Sequence, residues 1–208
     1  MPVVGDPTNI DILTAAEAAA ALPASGSITV DATKLAALTT AVSLMMDSAC
    51  GPIVLRTVTG EEYDGGGGRI WLRQAPVSAT ATTTVMTVTE YSSGTAQVLG
   101  AEDLASATAN DYRFVAQTGE LSRRSSWYDS KFGSQRVVVT YQAGRFANTP
   151  AVAENFKQAA RIILRHVWTL EQGFTSLGED LVPFGAGYSV PRRAVDFIRG
   201  ELQVPAFA

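Results

Sequence analysis

The chain has one cysteine, Cys50, and one histidine, His166, among its 208 residues. A lone cysteine excludes a disulfide within the chain and any zinc site built from cysteines. Cys50 ends an apolar run without a basic neighbour to activate its thiol, so we expect it to be buried and unreactive. Glu154 and Glu171 do not lie three or four residues from His166, so no acid on its own helix can orient it. We therefore expect no catalytic residue, no metal ligand and no cofactor, and we expect that the protein is not an enzyme.

Charge is also scarce, at 17% of the residues, against about 25% in an average globular protein. Only three of the sixteen basic residues are lysines, and the formal net charge is −4. Tight nucleic-acid binding relies on clustered basic side chains, and only Arg123-Arg124 near Trp127 hints at such a cluster. Apolar runs stay short of the roughly 20 residues of a membrane span, and the first residues lack a secretory signal. We expect a soluble protein, made in the cytoplasm, that binds no membrane.

Two helices are predicted near the start of the chain. Thr14 and Glu17 form a capping box before an alanine-rich run that ends at residue 22. A second helix should begin after the N-cap Asp31 and end near residue 49, because Gly51-Pro52 cannot continue it. Its apolar residues recur at helical spacing and predict one buried face: Leu35, Leu38, Val42, Met45 and Met46.

Residues 52–148 alternate polar and apolar side chains as strands do, which predicts an inserted antiparallel β module in the form of a small sandwich or open barrel. Strands are predicted at 53–59, 69–73, 80–90, 112–116, 119–122 and 136–141. Residues 61–68 are interpreted as a turn, and the glycines that follow Asp64 indicate a hairpin tip rather than a phosphate loop. Glu61, Glu62 and Asp64 should then lie in solvent at this tip or contact a neighbouring subunit.

A long helix is predicted from Thr149-Pro150 to about Gln172, because threonine caps it and proline suits its first position. Residues 173–208 are interpreted as a flexible C-terminal arm with a short helix near 191–200. Aromatic and apolar residues follow a glycine-rich spacer in this arm, among them Tyr188 and Phe197. Two interpretations stay open: the arm packs back on its own core, or it docks in a groove of a partner, where Arg192 and Arg193 would bind carboxylates.

The predicted fold class is α+β, with a helical core, an inserted antiparallel β module and an extended C-terminal arm that ends in a short helix. By residue number, 1–51 form the N-terminal helices, 52–148 the β module, 149–172 the long core helix and 173–208 the arm.

Four short motifs, in order along the chain, resemble the head-to-tail connector or adaptor proteins of tailed bacteriophages. They are Ile12–Ala18 (ILTAAEA, similar to the family's first helix), Thr57–Gly65 (TVTGEEYDG), Val139–Gly144 (VTYQAG) before Thr149-Pro150, and Gly187–Arg193 (GYSVPRR). The agreement in order and spacing covers most of the chain. The β module of this chain is larger than that of the mostly helical members of the family.

The resemblance implies a structural protein of the virion neck, made in the cytoplasm of a host bacterium. Such proteins form a ring, twelvefold in the virion, below the portal; the ring extends the DNA channel and provides a platform for the stopper or tail. Implied partners are the portal protein, further copies of the chain, a downstream stopper or tail protein, and double-stranded DNA that passes through the lumen without sequence-specific binding. The family's C-terminal arm engages the portal, which makes the candidate portal-binding residues Tyr188, Val190, Pro191, Arg192, Arg193 and Phe197.

A second hypothesis is a different neck or tail-completion protein, of the stopper or tail-terminator type. We expect stoppers to be mostly β, so the predicted long helices favour the adaptor.

Overall fold

The computed structural model describes residues 3–4, 10–22, 31–78, 86–101, 111–125, 128–171, 181–184 and 188–202. The chain forms two compact units. The β unit consists of Met1–Gly5 and Leu55–Arg145, and the helical unit consists of Asp6–Val54 and Phe146–Ala208. Helices and antiparallel sheets are both present, so the predicted α+β class is confirmed.

The described part of the helical unit contains four α-helices and one hairpin. The helices are α1 (Ala15–Ala21), α2 (Ala32–Cys50), α3 (Glu154–Glu171) and α4 (Arg192–Ile198). The hairpin strands, labelled in chain order with those of the β unit, are β10 (Leu181–Phe184) and β11 (Tyr188–Pro191). Short 3₁₀ turns at Thr149–Ala151 and Arg199–Glu201 precede α3 and follow α4.

The predicted end signals of α1 and α2 are confirmed. The Thr14 hydroxyl accepts a hydrogen bond from the Glu17 amide while the Glu17 carboxylate accepts one from the Thr14 amide. Asp31 caps α2 by accepting from the Thr33 amide at 2.9 Å. Gly51 ends α2 at a φ of 75°, a conformation that favours glycine.

The predicted start of α3 at Thr149-Pro150 is wrong. Asn148 caps the 3₁₀ turn Thr149–Ala151 by accepting from the Ala151 amide, and Val152 is extended at ψ 132°. This extended residue interrupts the helical path, so α3 begins at Glu154. Helical spacing also predicts that Leu170 lies on the buried face of this helix, but Leu170 is 50% exposed.

The core of the helical unit joins residues from the N-terminal segment, α1, α2, α3 and the C-terminal segment. α3 is strongly amphipathic and contacts α1, α2, α4 and β11, so it forms the centre of the unit. The largest fully buried side chains here are Ile12, Met46, Ile53, Val54, Ile163, Leu164 and Ile198.

The described part of the β unit contains two antiparallel sheets. One has the order β1-β2-β9-β4-β5, formed by Val3–Val4, Arg56–Asp64, Arg136–Ala143, Thr87–Ser92 and Thr95–Leu99. The other has the order β3-β7-β6, formed by Arg69–Trp71, Glu120–Ser125 and Tyr112–Val115, with β8 (Tyr128–Asp129) paired to β7. The sheets share one core, to which β9 contributes every second residue: Val137, Val139, Tyr141 and Ala143.

Two strand predictions need correction. Glu61–Asp64, predicted to be a turn, are the second half of β2 and pair with β9, from Glu61 opposite Val139 to Asp64 opposite Arg136. A bulge between Val58 and Glu61, with Gly60 at a φ of 67°, shifts the register and hides the alternation. Strand β5 was not predicted at all; it follows a tight turn at Ser93-Gly94, where both φ angles are positive. Residues 80–85 of the predicted strand 80–90 lie outside the described residues.

Candidate functional site

The C-terminal segment, residues 181–202, packs on its own core where the structure describes it. The hairpin pairs Leu181 with Pro191 and Val182 with Val190, and α4 follows β11 directly. Ala194 and Ile198 are four residues apart on one face of α4, and together with Val190 of β11 they are almost completely buried in the helical core. The first of the two interpretations of the arm therefore describes this part of the chain.

The six candidate portal-binding residues divide into a buried and an exposed set. Val190 and Pro191 are buried and so are not available to a partner. Arg192 and Arg193 are exposed on α4, and Phe197 is 48% exposed one turn further along. Tyr188 lies in β11, and its side chain is outside the described residues.

The exposed set forms what we call the C-terminal surface: Arg192, Arg193 and Phe197 on α4, with Leu181, 43% exposed, at the start of the hairpin. The surface combines two guanidinium groups with two apolar side chains. Guanidinium groups bind carboxylates in a paired geometry, and apolar side chains add area that association removes from water. This chemistry suits protein binding.

Glu61 is the most unexpected polar residue, because only 1% of it is exposed. Its Oε2 accepts hydrogen bonds from the Tyr141 hydroxyl at 2.7 Å and from the Tyr63 hydroxyl. The Tyr63 hydroxyl in turn accepts from the Arg73 amide at 3.0 Å, and the Tyr141 hydroxyl accepts from the Gln74 amide at 3.2 Å. The prediction of a solvated acidic tip is therefore wrong for Glu61, which ties the segment after β3 to strands β2 and β9.

Both tyrosines of this cluster are perturbed. Burial, followed by the hydrogen bond to Glu61, raises the pKa of Tyr63 and of Tyr141 above the usual 10.0. The hydroxyls therefore stay protonated and keep donating to the carboxylate. The Glu61 carboxylate and the two hydroxyls are hydrogen-bonded to one another and to two backbone amides. The cluster therefore stabilises the β unit instead of presenting a reactive acid.

Glu90 and Arg123 form a second buried polar cluster, which joins the two sheets of the β unit. Arg123 donates through Nε to Glu90 Oε2 at 3.2 Å and through Nη2 to Oε1 at 2.9 Å. The Gly133 amide also donates to Oε2, at 2.8 Å. A signal for this burial exists in the sequence, because Glu90 is two residues from the fully buried Val88 and so faces the same side of β4.

In the helical unit, Lys157 is buried and donates through Nζ to Glu17 Oε1 at 2.9 Å, which fixes α1 to α3. Burial opposes ionisation of Glu17, but hydrogen bonds from Lys157 and Thr14 outweigh it and lower its pKa from 4.5 to about 2. Glu17 is thus a permanent anion at neutral pH.

A cavity of about 260 Å³ lies between α1 and α2, with walls formed by small side chains. It is lined by Asp11, Leu13, Ala15, Ala18, Ala19, Ala32, Leu35, Ala36 and Thr39. Asp11 is the only ionisable residue among them, and burial raises its pKa. Acid–base catalysis usually requires two ionisable groups with different pKa values, and the lining residues supply only Asp11.

The remaining candidates from the sequence, Cys50 and His166, lie inside the helical unit. Cys50 and His166 are buried in α2 and α3. Among the described residues, no three His, Cys, Asp or Glu side chains are grouped in a way that could hold a metal ion. Within the same ranges, no helix is both long and apolar enough to cross a membrane.

No protein-family model matches the chain, and no curated protein matches it. Solved structures that share its fold include three chains from gene transfer agent particles. A chain from the virion of a native gene transfer agent (GTA) particle has a TM-score of 0.61 and 16% identity, over 95% of this chain and 92% of that chain. A chain from the neck of an empty GTA particle, computed with C6 symmetry, has a TM-score of 0.57 and 15% identity, over 99% and 98%.

The third chain comes from the neck of a native GTA particle computed with C12 symmetry, with a TM-score of 0.54 and 16% identity over 100% and 98%. At this identity the likeness concerns the fold. It extends over the helical unit and the β unit alike, because almost all of each chain is covered.

Proposed function

We propose that the protein is a structural adaptor in the neck of a tailed-phage virion. In this proposal twelve copies form a ring below the portal, extend the DNA channel and provide a platform for the stopper or tail. The observation that carries the proposal is the likeness in fold, over 92–100% of both chains, to chains of GTA particles, two of them from the neck. The four motifs that resemble phage adaptors support it from the sequence.

The polar groups of the described residues also support a mechanical role. Glu61, Glu90 and Glu17 are held by hydrogen bonds from neighbouring side chains and amides, and each of them joins two segments of one unit. An enzyme needs at least one such group directed at a substrate. The proposed adaptor role requires no catalytic residue and no cofactor.

The C-terminal surface is the proposed portal-binding site. Arg192, Arg193 and Phe197 supply the contact, while Val190 and Pro191 hold α4 in place and Tyr188 enters only through its position in β11. A surface of a few residues gives a weak contact in one copy. Twelve copies on one portal multiply it through effective concentration, because the later contacts are made within the same assembly.

DNA passes through the proposed ring without sequence-specific binding. The net charge of −4 gives the phosphates little to bind. Salt-dependent retention of DNA by the isolated chain is therefore not expected.

Light scattering on a sizing column tests the proposal, with the chain alone and then mixed with its cognate portal protein. Twelve copies of 22.0 kDa should add about 264 kDa to the portal peak. The double variant Arg192→Glu/Arg193→Glu and the variant Phe197→Ser should each remove most of this gain.

Val98→Ser is the control, because Val98 is also an exposed apolar residue but lies on β5 of the β unit, outside the C-terminal surface. Point variants are preferred to truncation, since removal of residues after 185 would also remove Val190, Ala194 and Ile198 from the core. An unchanged portal peak with folded wild-type chain would contradict portal binding and would favour a stopper or tail-completion role.

A further inference from the structure

The sheet β3-β7-β6 has an outer face whose composition is unusual for a solvated surface. Ile70, Leu121 and Phe114 stand opposite one another, and this row belongs to the core of the β unit. Their neighbours in each strand therefore point to the other side. This outer sheet face consists of two rows, Trp71–Glu120–Val115 and Arg69–Ser122–Arg113.

The first row exposes large apolar side chains on rigid strands. Trp71 is 58% exposed and Val115 is 40% exposed. Tryptophan buries more apolar area than most side chains and loses little entropy when a partner covers it. By contrast Trp168, in α3, is only 5% exposed. Exposed tryptophan beside arginine is typical of the centre of a protein interface.

The second row makes the face locally positive. Arg69 and Arg113 are both exposed, and Arg69 forms an ion pair with Glu120 at 3.2 Å. Glu120 also accepts a hydrogen bond from the Ser122 hydroxyl at 3.3 Å, so the one carboxylate of the face is engaged within it. A complementary partner must be acidic and must offer apolar side chains to Trp71 and Val115.

The same chain contains such a partner. The β unit has nine basic and nine acidic residues, whereas the helical unit has seven basic and eleven acidic residues. All of the net negative charge of the chain is therefore in the helical unit. This unit also exposes Leu44 on α2 and Leu170 on α3, at 51% and 50%.

We propose that the outer sheet face of one copy binds the acidic helical unit of a second copy of this chain. Two different surfaces then meet in each contact, so the contact is head-to-tail and repeats around a ring if the rotation closes. The closed ring rests on the proposed function, while the contact rests on Trp71, Val115, Arg69 and Arg113. Single-stranded nucleic acid is the less favoured occupant, because Glu120 lies in the middle of the face and repels phosphate.

Sedimentation velocity of the chain alone, over a range of concentrations, measures the contact. The wild type should associate, and Trp71→Ala and Arg113→Glu should each raise the dissociation constant about tenfold or more, since central tryptophan and arginine contacts reach that size. Raising the salt from 50 to 500 mM should weaken wild-type association, because the contact joins opposite charges near the surface. Val98→Ala is the control, since Val98 is 67% exposed on the other sheet and should change nothing.

A photocross-linking amino acid in place of Trp71 identifies the occupant. Light and heavy isotope-labelled chains are mixed, so that a cross-link between copies differs in mass from a link within one chain. The expected product joins residue 71 to a peptide from 6–54 or 146–208 of a second copy. The experiment is repeated with added oligonucleotide and with the portal-bound chain. These repeats show whether residue 71 cross-links to nucleic acid or to another neck protein instead.

Three results would overturn the inference: a cross-link from residue 71 only to nucleic acid or to another neck protein, association that Trp71→Ala leaves unchanged, or no association either alone or on the portal. The proposed function fails separately. A wild type that associates through Trp71 but does not load the portal contradicts only the portal role, and full loading by Trp71→Ala contradicts only this contact.

Discussion

The two units of the chain differ in the side chains that they bury. The core of the helical unit is aliphatic and aromatic, and its charged residues Lys157 and Glu17 meet at the margin between α1 and α3. The β unit places two carboxylates, Glu61 and Glu90, among its buried residues. Each of them accepts a hydrogen bond from a residue at least 33 positions away along the chain, so the sheets must be assembled before the charges are satisfied.

The two units should lose stability in response to different kinds of mutation. A buried ion is stable only when its partners are in place, and the loss of one partner leaves an uncompensated charge. An aliphatic core responds instead to lost volume and contact. We therefore expect the β unit to respond most strongly to polar changes, and the following variants test that difference.

The largest loss is expected for Arg123→Ala. It leaves the buried Glu90 carboxylate with the Gly133 amide as its remaining donor among the described residues, and it should lower the free energy of unfolding by about 3–5 kcal/mol. Urea unfolding followed by circular dichroism measures this loss. Arg136→Ala is the control, because the Arg136–Glu62 pair is half-exposed and should contribute about 0–1 kcal/mol. Equal losses for the two variants would contradict the comparison.

Glu17→Ala tests the helical unit at the partner of its buried Lys157. The variant removes the partner of Lys157 and the capping box of α1, and we expect a loss of about 2–4 kcal/mol in the same assay. Glu171→Ala removes an equally charged but exposed partner, that of Lys34, and should lower stability by less than about 1 kcal/mol. A loss for Glu17→Ala as small as that of the control would show that Lys157 finds another partner.

The pH dependence of the same pair has a definite sign. The pKa of Glu17 is lowered in the folded state, from 4.5 to about 2. Its contribution is therefore complete above pH 4.5 and is lost as the pH falls towards 2. Acid unfolding of Glu17→Ala should show a shallower loss of stability over this range than the wild type, and parallel curves would contradict the assignment.

Tyr141→Phe removes one hydrogen bond to the Glu61 carboxylate and should lower stability by about 1.5–3 kcal/mol. Tyr91→Phe, on a half-buried strand position, is the control and should stay within about 0.5 kcal/mol. The pKa values of Tyr63 and Tyr141 are raised in the folded state, so wild-type stability should fall as the pH rises above 10.0. That alkaline decline should be weaker in Tyr141→Phe; an unchanged slope would argue against the shared carboxylate.

The smallest effect is expected for Asp31→Ala, at the exposed start of α2. The lost cap should reduce the free energy of unfolding by about 1 kcal/mol, visible as a lower melting temperature at 222 nm. Asp31→Asn keeps an acceptor for the Thr33 amide and should restore most of the difference. Failure of Asn to restore it would assign the effect to charge instead of to the hydrogen bond.

The sequence is sufficient for features whose partners are close along the chain. Thr14 with Glu17, Asp31 with Thr33, and the glycine at the end of α2 were all predicted, because each depends on residues at most three apart or on one backbone conformation. The α+β class followed from the change of period between helices and strands.

Features that depend on distant partners could not be predicted. Glu61 and Tyr141 are 80 residues apart and Glu90 and Arg123 are 33 apart, so nothing local marks these carboxylates as paired. The bulge at Gly60 removed the alternation that would have placed Glu61 in a strand. The burial of Val190 and Ile198 could not be predicted either, because it depends on unoccupied volume in the helical core, and the composition of the chain does not reveal that volume.

The chain leaves the helical unit and returns to it at neighbouring points. The Phe146 amide donates to the Ile53 carbonyl at 3.0 Å, and Val54 and Phe146 form a parallel bridge. Because the two ends of the inserted stretch are held together by the helical unit itself, the length between them hardly affects the entropy of closing that loop. Evolution or a protein engineer could therefore shorten, enlarge or replace everything between residues 55 and 145 while the helical scaffold keeps its own architecture.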